Sequence, residues 1–174
     1  ILQCYGDITA TKIEMRTLTN LQKLDLTNAP ISNIELYNCV DLMELNLSGT
    51  RISYLDLNPN RNLTLINLSR TDIYQLDLSS CDKLERLYID GTQIMGLDLM
   101  WQRDTLKELS CADTQITYLD LGWCGKLISL NVRNCPLACI NLEDTPIDVS
   151  GFQSADNIYK YNGTNVTSIA EEIY

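Results

Sequence analysis

The chain has no histidine among its 174 residues. That removes the commonest general base, the usual Ser–His and Cys–His nucleophile pairs and the commonest metal ligand. Long apolar runs are also missing, so no segment is expected to span a membrane. Positive charge is scarce: 13 Lys and Arg stand against 23 Asp and Glu, for a net charge of −10. A nucleic-acid backbone needs a basic patch, so nucleic acid is not expected as a partner. The balance suits a cation, a basic protein or plain solubility. The chain begins at Ile1 with no methionine and no charged-then-apolar leader, and we read this as a processed or trimmed start. No stretch carries a helix-length apolar period, so little helix is expected within the body of the chain.

What is present is a repeat. Leu42-Met43-Glu44-Leu45-Asn46-Leu47-Ser48-Gly49-Thr50-Arg51-Ile52 runs into Ser53-Tyr54-Leu55-Asp56-Leu57, and matching lines begin at Leu21, Leu63, Leu84, Leu106 and Leu127. The steps are 21 residues, except the one from Leu84 to Leu106, which is 22. Self-similarity at this period is the mark of a solenoid. Each line has two halves, L-x-x-L-x-L-x-x-T-x and I-x-x-L-D-L-x-x-C-x-x. The L-x-L core of each alternates with period 2, which predicts a short strand with one face buried. One coil is therefore two short strands and two corners, and stacked coils form parallel sheets with a spacing of about 4.8 Å. The inward set of one coil is Leu42, Leu45, Leu47, Ile52, Leu55 and Leu57. One coil cannot hide these side chains, so neighbouring coils bury them against one another. The expected organisation is an N-terminal cap over 1–20, a solenoid of about six coils over 21–147, and a C-terminal cap over 148–174. Ser168-Ile169-Ala170-Glu171 fits a capping box that opens a short terminal helix.

Two corner columns follow from the register. The first holds Ala29, Thr50, Thr71, Thr92, Thr114 and Cys135; the second holds Cys39, Asn60, Cys81, Gln102, Cys124 and Thr145. Small polar or thiol groups there can bond the backbone of the turn and of the next coil. Cys39, Cys81 and Cys124 recur at every second coil, roughly 9–10 Å apart at that strand spacing. A disulfide needs Cα atoms within about 7 Å, so these are expected to be buried thiols. Cys111 takes a core leucine position and reads the same way. Cys135 and Cys139 are the local pair to check for a bond.

The first half resembles the leucine-rich-repeat consensus, with Thr at the usual Asn position. Leu106-Lys107-Glu108-Leu109-Ser110-Cys111-Ala112-Asp113-Thr114-Gln115-Ile116, followed by Leu119-Asp120-Leu121, resembles the internalin-like repeats of bacterial surface proteins. The resemblance covers residues 21–147. The chain departs from it by placing Cys at the third leucine position only once, so a continuous cysteine ladder is not expected. The resemblance implies a right-handed solenoid, an extracellular or cell-surface location, and binding to proteins or glycans. It supplies no catalytic residues, and its binding residues differ between members.

The outer faces hold the candidate sites. The second-half strand carries a column of acids, Glu35, Asp56, Asp77, Asp98 and Asp120, ending in Asn141. Stacked like charges repel. Either each carboxylate is satisfied by nearby backbone or Ser groups, or Asp56, Asp77, Asp98 and Asp120 form a Ca²⁺ track. No dense calcium-binding loop is present, and no metal or other cofactor is expected. Trp101 and Trp123 each lie two residues past the last leucine of that strand, on adjacent coils, with Tyr118, Tyr74, Met100, Tyr54 and Met95 nearby. The inserted residue of the 22-residue step falls just after Trp101. Exposed aromatics are enriched in binding hot spots. Trp101, Trp123, Tyr118, Tyr74 and Met100 are therefore the candidate ligand-binding residues, unless residues 148–174 fold back over them. The expected function is a non-catalytic secreted or surface-exposed module binding a protein or glycan. The alternatives are a polysaccharide-active β-solenoid enzyme, with neighbouring acids as its carboxylate pair, and a structural spacer within a longer protein.

Overall fold

The structure is a computed structural model that describes residues 2–3, 12–14, 18–147, 159–161 and 166–168, with side chains described over 18–147. Its main feature is a parallel sheet of seven strands. These are β1 (Leu2–Gln3), β3 (Lys23–Asp25), β5 (Glu44–Asn46), β6 (Leu65–Asn67), β7 (Arg86–Tyr88), β8 (Glu108–Ser110) and β10 (Ser129–Asn131). The register keeps one leucine column aligned: Leu24 faces Leu45, Leu45 faces Ile66, Ile66 faces Leu87, and Leu87 faces Leu109. The one-residue insertion is thus absorbed outside the sheet. All six inward residues of the coil from Leu42 to Leu57 are buried, as the alternation predicts. Segment 1–20, expected as a cap, carries strands for both halves of a coil. β1 pairs with β3, and β2 (Lys12–Glu14) pairs with β4 (Asn33–Glu35).

The first corner keeps one backbone form along the array. Asn28, Gly49, Arg70, Gly91, Asp113 and Asn134 all take left-handed φ, between 57° and 71°. In the first five this conformation turns the N–H onto the next coil: Asn28 donates to the Ser48 carbonyl, Gly49 to Ser69 and Gly91 to Ala112, each at 2.8 Å. The buried threonines then close the turn. Thr50, Thr71 and Thr114 each donate a hydroxyl to the carbonyl three residues back, at 2.7 Å.

The second half departs from the expected continuous strand ladder. Among the described residues it forms strands only at its ends, as β2 with β4, and as β9 (Tyr118–Asp120) with β11 (Cys139–Asn141). Over the coils carrying Leu55, Leu76 and Leu97 it has no strand pairing. The backbone links there are sparse: Arg51 donates to the Ile31 carbonyl and Gln93 to Ile73, both at 2.9 Å. Buried side-chain amides take over the stapling. Asn60 Nδ2 donates to the carbonyls of Leu36 (3.1 Å) and Cys39 (2.8 Å), and Gln102 Nε2 to those of Leu78 (2.9 Å) and Cys81 (3.0 Å). Each of these amides keeps one buried oxygen without a partner, a cost offset by two donated bonds apiece.

The cysteines between these amides are free and buried, as expected for Cys39, Cys81, Cys124 and the core Cys111. Burial pushes the Cys81 thiol up to about 12 and the Cys124 thiol to about 11. Cys135 and Cys139 are free as well. Cys139 lies on β11, whereas Cys135 turns back to the preceding coil, with its Sγ 2.9 Å from the Cys111 carbonyl and 3.3 Å from Thr114 Oγ. Near the C-terminus, β12 (Tyr159–Tyr161) and β13 (Val166–Ser168) pair antiparallel. Ser168 closes β13, and the rest of the expected terminal helix lies outside the described residues.

Candidate functional site

Trp101 and Trp123 are exposed, 55% and 58% respectively, on backbones of different kinds. Trp101 sits in a 3₁₀ turn, Met100–Gln102. The turn exists because of the inserted residue: Leu106 N–H reaches the Gln102 carbonyl at 2.9 Å, four residues back, whereas Leu42, Leu63, Leu84 and Leu127 close the same corner on the residue three back. Trp123 instead holds left-handed φ, +70°. That is unusual for a bulky residue and costs roughly 1–2 kcal/mol. The conformation is held by the Trp123 N–H on the Glu143 carbonyl at 2.9 Å. The second corner therefore changes type between the two tryptophans, from a splayed corner to one that bonds the next coil.

Met100 is exposed on the same turn as Trp101, and Tyr118 opens the strand that leads to Trp123. Tyr118 is exposed on β9, and its phenol is held above its ordinary pKa, first by partial desolvation and then by the Asp120 carboxylate. Arg103, two residues past Trp101, lies 3.5 Å from Asp120, which ties the coil of Trp101 to that of Trp123. Asp120 Oδ1 also accepts the Gly122 N–H at 3.0 Å and Asn141 Nδ2 at 2.9 Å. A Cβ at Gly122 would stand 2.6 Å from that Nδ2, so the bridge needs glycine there. Residues 148–174, considered above as a cover, lie mostly outside the described residues.

Tyr74 is not part of that corner. It lines a cleft of about 610 Å³ that opens between its own coil and the next, where the second half has no strand ladder. Leu76 and Leu97, which are only half-buried, make the floor, and Tyr74 and Met95 stand exposed beside them. Gln75, Gln93 and Asp98 supply the polar rim. Gly96 occupies the outward position that Tyr54, Gln75 and Tyr118 hold in other coils, and a Cβ there would meet nothing within 4 Å. A smaller cleft of about 150 Å³ adjoins on the far side of Tyr74 and reaches Tyr54, Asp56 and Asp77.

The acid column is satisfied locally. One oxygen of Asp56 accepts the Asn58 N–H (3.0 Å), one of Asp77 the Ser79 N–H (2.9 Å), and one of Asp98 the Met100 N–H (3.0 Å). Asn141 does the same for Glu143 at 3.0 Å, so the position needs an oxygen two residues before the capped amide, not a charge. The Ser79 backbone N–H and then its hydroxyl hold the Asp77 carboxyl below the usual range. Asp56, Asp77, Asp98 and Asp120 come from successive coils, and among the described residues no three His, Cys, Asp or Glu side chains converge on a metal position.

The first-half face is laced with ion pairs and hydrogen bonds. Lys23 lies 2.6 Å from Glu44, Lys107 lies 2.9 Å from Glu85, and the Tyr88 hydroxyl bonds Glu108. The carboxyl of Glu85 is accordingly held below its ordinary value, first by the hydrogen bond from Lys107. The residues that the repeat register did not single out are Arg103, Gly96, Leu76 and Leu97. Of these, Gly96 was visible as the one position in its column without a side chain; the half-exposure of the two leucines left no trace in their residue type.

No family model matches the chain, and no curated protein does. Solved structures do match. The functional domain of InlJ from Listeria monocytogenes, described as including a cysteine ladder, superimposes with a TM-score of 0.70 at 23% identity, over 87% of this chain and 36% of that one. A leucine-rich-repeat protein of Leptospira interrogans matches with a TM-score of 0.65 at 20% identity, over 78% of this chain and 40% of that one. The chain thus has an internalin-like leucine-rich-repeat fold and spans well under half the length of either structure. Among the described residues the corner cysteines form no continuous stack: Cys39, Cys81 and Cys124 alternate with Asn60 and Gln102.

Proposed function

We propose that this chain is a non-catalytic binding module, presented outside the cell or on its surface, that docks a protein ligand on the Trp101–Trp123 corner. The observation that carries this reading is the pair of exposed tryptophans on adjacent coils, one of them held at a φ of +70°. Strain at a bulky exposed residue has to be offset elsewhere, and such residues cluster at ligand contacts. Met100, Tyr118 and the Arg103–Asp120 pair give the corner the mix of large apolar and charged groups found in binding hot spots. The absence of histidine and the local engagement of the acid column count against catalysis on this face.

The test is capture of surface-exposed proteins by the intact chain, with hits confirmed using purified partner. The double variant Trp101→Ala with Trp123→Ala is expected to lose a confirmed partner while its unfolding midpoint stays within a few degrees of the parent. Retained binding, or collapse of the fold, sinks the reading. Occupancy of a glycan array, with no protein partner, would move the ligand class to carbohydrate.

A further inference from the structure

We infer that the cleft between the coils of Tyr74 and Met95 is a subsite for a single lysine or arginine side chain of the protein partner. This rests on the reading of the chain as a protein-binding module, but it concerns a different surface from the tryptophan corner.

The shape comes first. The cleft has an apolar floor, Leu76 and Leu97, and opens to solvent where Gly96 leaves out a side chain. Tyr74 and Met95 flank it, and Asp98 stands at its rim. A long aliphatic stem ending in a cation matches this sequence of surfaces. The stem lies on the leucines and Met95, the head passes the Tyr74 ring face, and the charge reaches carboxylate at the rim. Asp77, on the adjoining smaller cleft across Tyr74, offers a second carboxylate.

Charge decides the class of ligand. Asp56, Asp77 and Asp98 each use one oxygen to cap a backbone amide and have no ion pair among the described residues. The next acid in the column, Asp120, does have a cation, Arg103 at 3.5 Å. The uncompensated stretch of the column is therefore the stretch that borders the two clefts. A neutral glycan would leave those carboxylates uncompensated, and a bare metal ion would find no converging ligand set. A cationic side chain meets both the apolar floor and the charge. The chain's net charge of −10 favours the approach of such a partner from a distance.

Two variants isolate the subsite without disturbing the fold. Gly96→Leu fills the cleft from a position where a Cβ meets nothing within 4 Å. Asp98→Asn removes the charge and keeps the amide cap, as Asn141 does in the same column. The probe is a hexalysine peptide, titrated into the labelled chain while backbone amide shifts are followed by NMR. Shifts are expected at Leu76, Gly96 and Leu97, with affinity about fivefold weaker in Asp98→Asn, the effect of one surface charge pair. They should vanish in Gly96→Leu and with hexalysine acetylated on every side-chain amine.

Shifts spread along the whole acid column and unchanged by Gly96→Leu would overturn the subsite. So would no binding of hexalysine, or the same amides responding to cellohexaose instead. The double tryptophan variant is run beside these. Its expected retention of the hexalysine shifts separates failure of the cleft from failure of the tryptophan corner.

Discussion

Replacing Trp123 by glycine should give a more stable protein than replacing it by alanine, and the order should reverse at Trp101. An L-residue in the left-handed region pays roughly 1–2 kcal/mol that glycine does not, and Trp123 holds φ +70°. At an ordinary position glycine is instead the less stable choice, by about 0.5–1 kcal/mol, because it loses more backbone freedom on folding. Trp101 lies in a 3₁₀ turn, and its φ is not among the positive ones. Loss of the ring is common to both variants at each site, so the glycine-minus-alanine difference isolates the backbone. At 123 it should favour glycine by about 1 kcal/mol, which for a domain of this size is a midpoint higher by about 2–4 °C. At 101 the sign should be opposite, with a similar or smaller size. Thermal unfolding followed by circular dichroism, with urea unfolding as a second measure, reads both differences. Alanine ranking above glycine at both sites would refute the left-handed corner, and with it the view that strain is held at the proposed binding surface.

Three further outcomes rest on the buried amides and thiols. Asn60→Asp exchanges two buried donated bonds for a buried carboxylate and should cost about 3–5 kcal/mol in urea unfolding; a loss under about 1 kcal/mol would show that the amide is not the staple of the splayed coils. Iodoacetamide should modify Cys139 and Cys135 in the folded chain but not Cys39, Cys81, Cys111 or Cys124, as read by mass spectrometry. The unfolded Cys81 thiol ionises near 9 while the folded one stays protonated to about 12, so stability falls as pH rises through that window. Cys81→Ala should flatten that fall, and an unchanged profile would contradict the buried thiol.

Several features could be read from the residues because the repeat makes them columns. The alternation in Leu42, Leu45 and Leu47 placed the core, and the spacing of Cys39, Cys81 and Cys124 excluded bridges between them. The i to i+2 relation in Leu-Asp-Leu-x carries its own explanation, since an oxygen there reaches an amide two residues on. The second half misled because its text is as regular as the first. Leu55, Leu76 and Leu97 have the same pattern as Leu45, Ile66 and Leu87, yet only the latter three lie on paired strands. Hydrogen-bonding both halves of every coil requires equal spacing on both sides of the stack, and the pattern of one coil does not contain that spacing.

The sequence by itself determined the solenoid, its period, its inward leucines and its buried thiols. Each of these depends on burial and chain spacing, which one repeat copied into the next already contains. Its lack of histidine and of basic clusters also set the classes of chemistry to expect. Only the tertiary structure decided where coils part and where they bond. It put Trp123 in a left-handed corner and Trp101 in a 3₁₀ turn, brought Arg103 to Asp120, and opened the cleft over Leu76 and Leu97 at Gly96. Those outcomes depend on how one coil sits on the next, and that is settled by contacts between residues 21 or 22 apart in the chain.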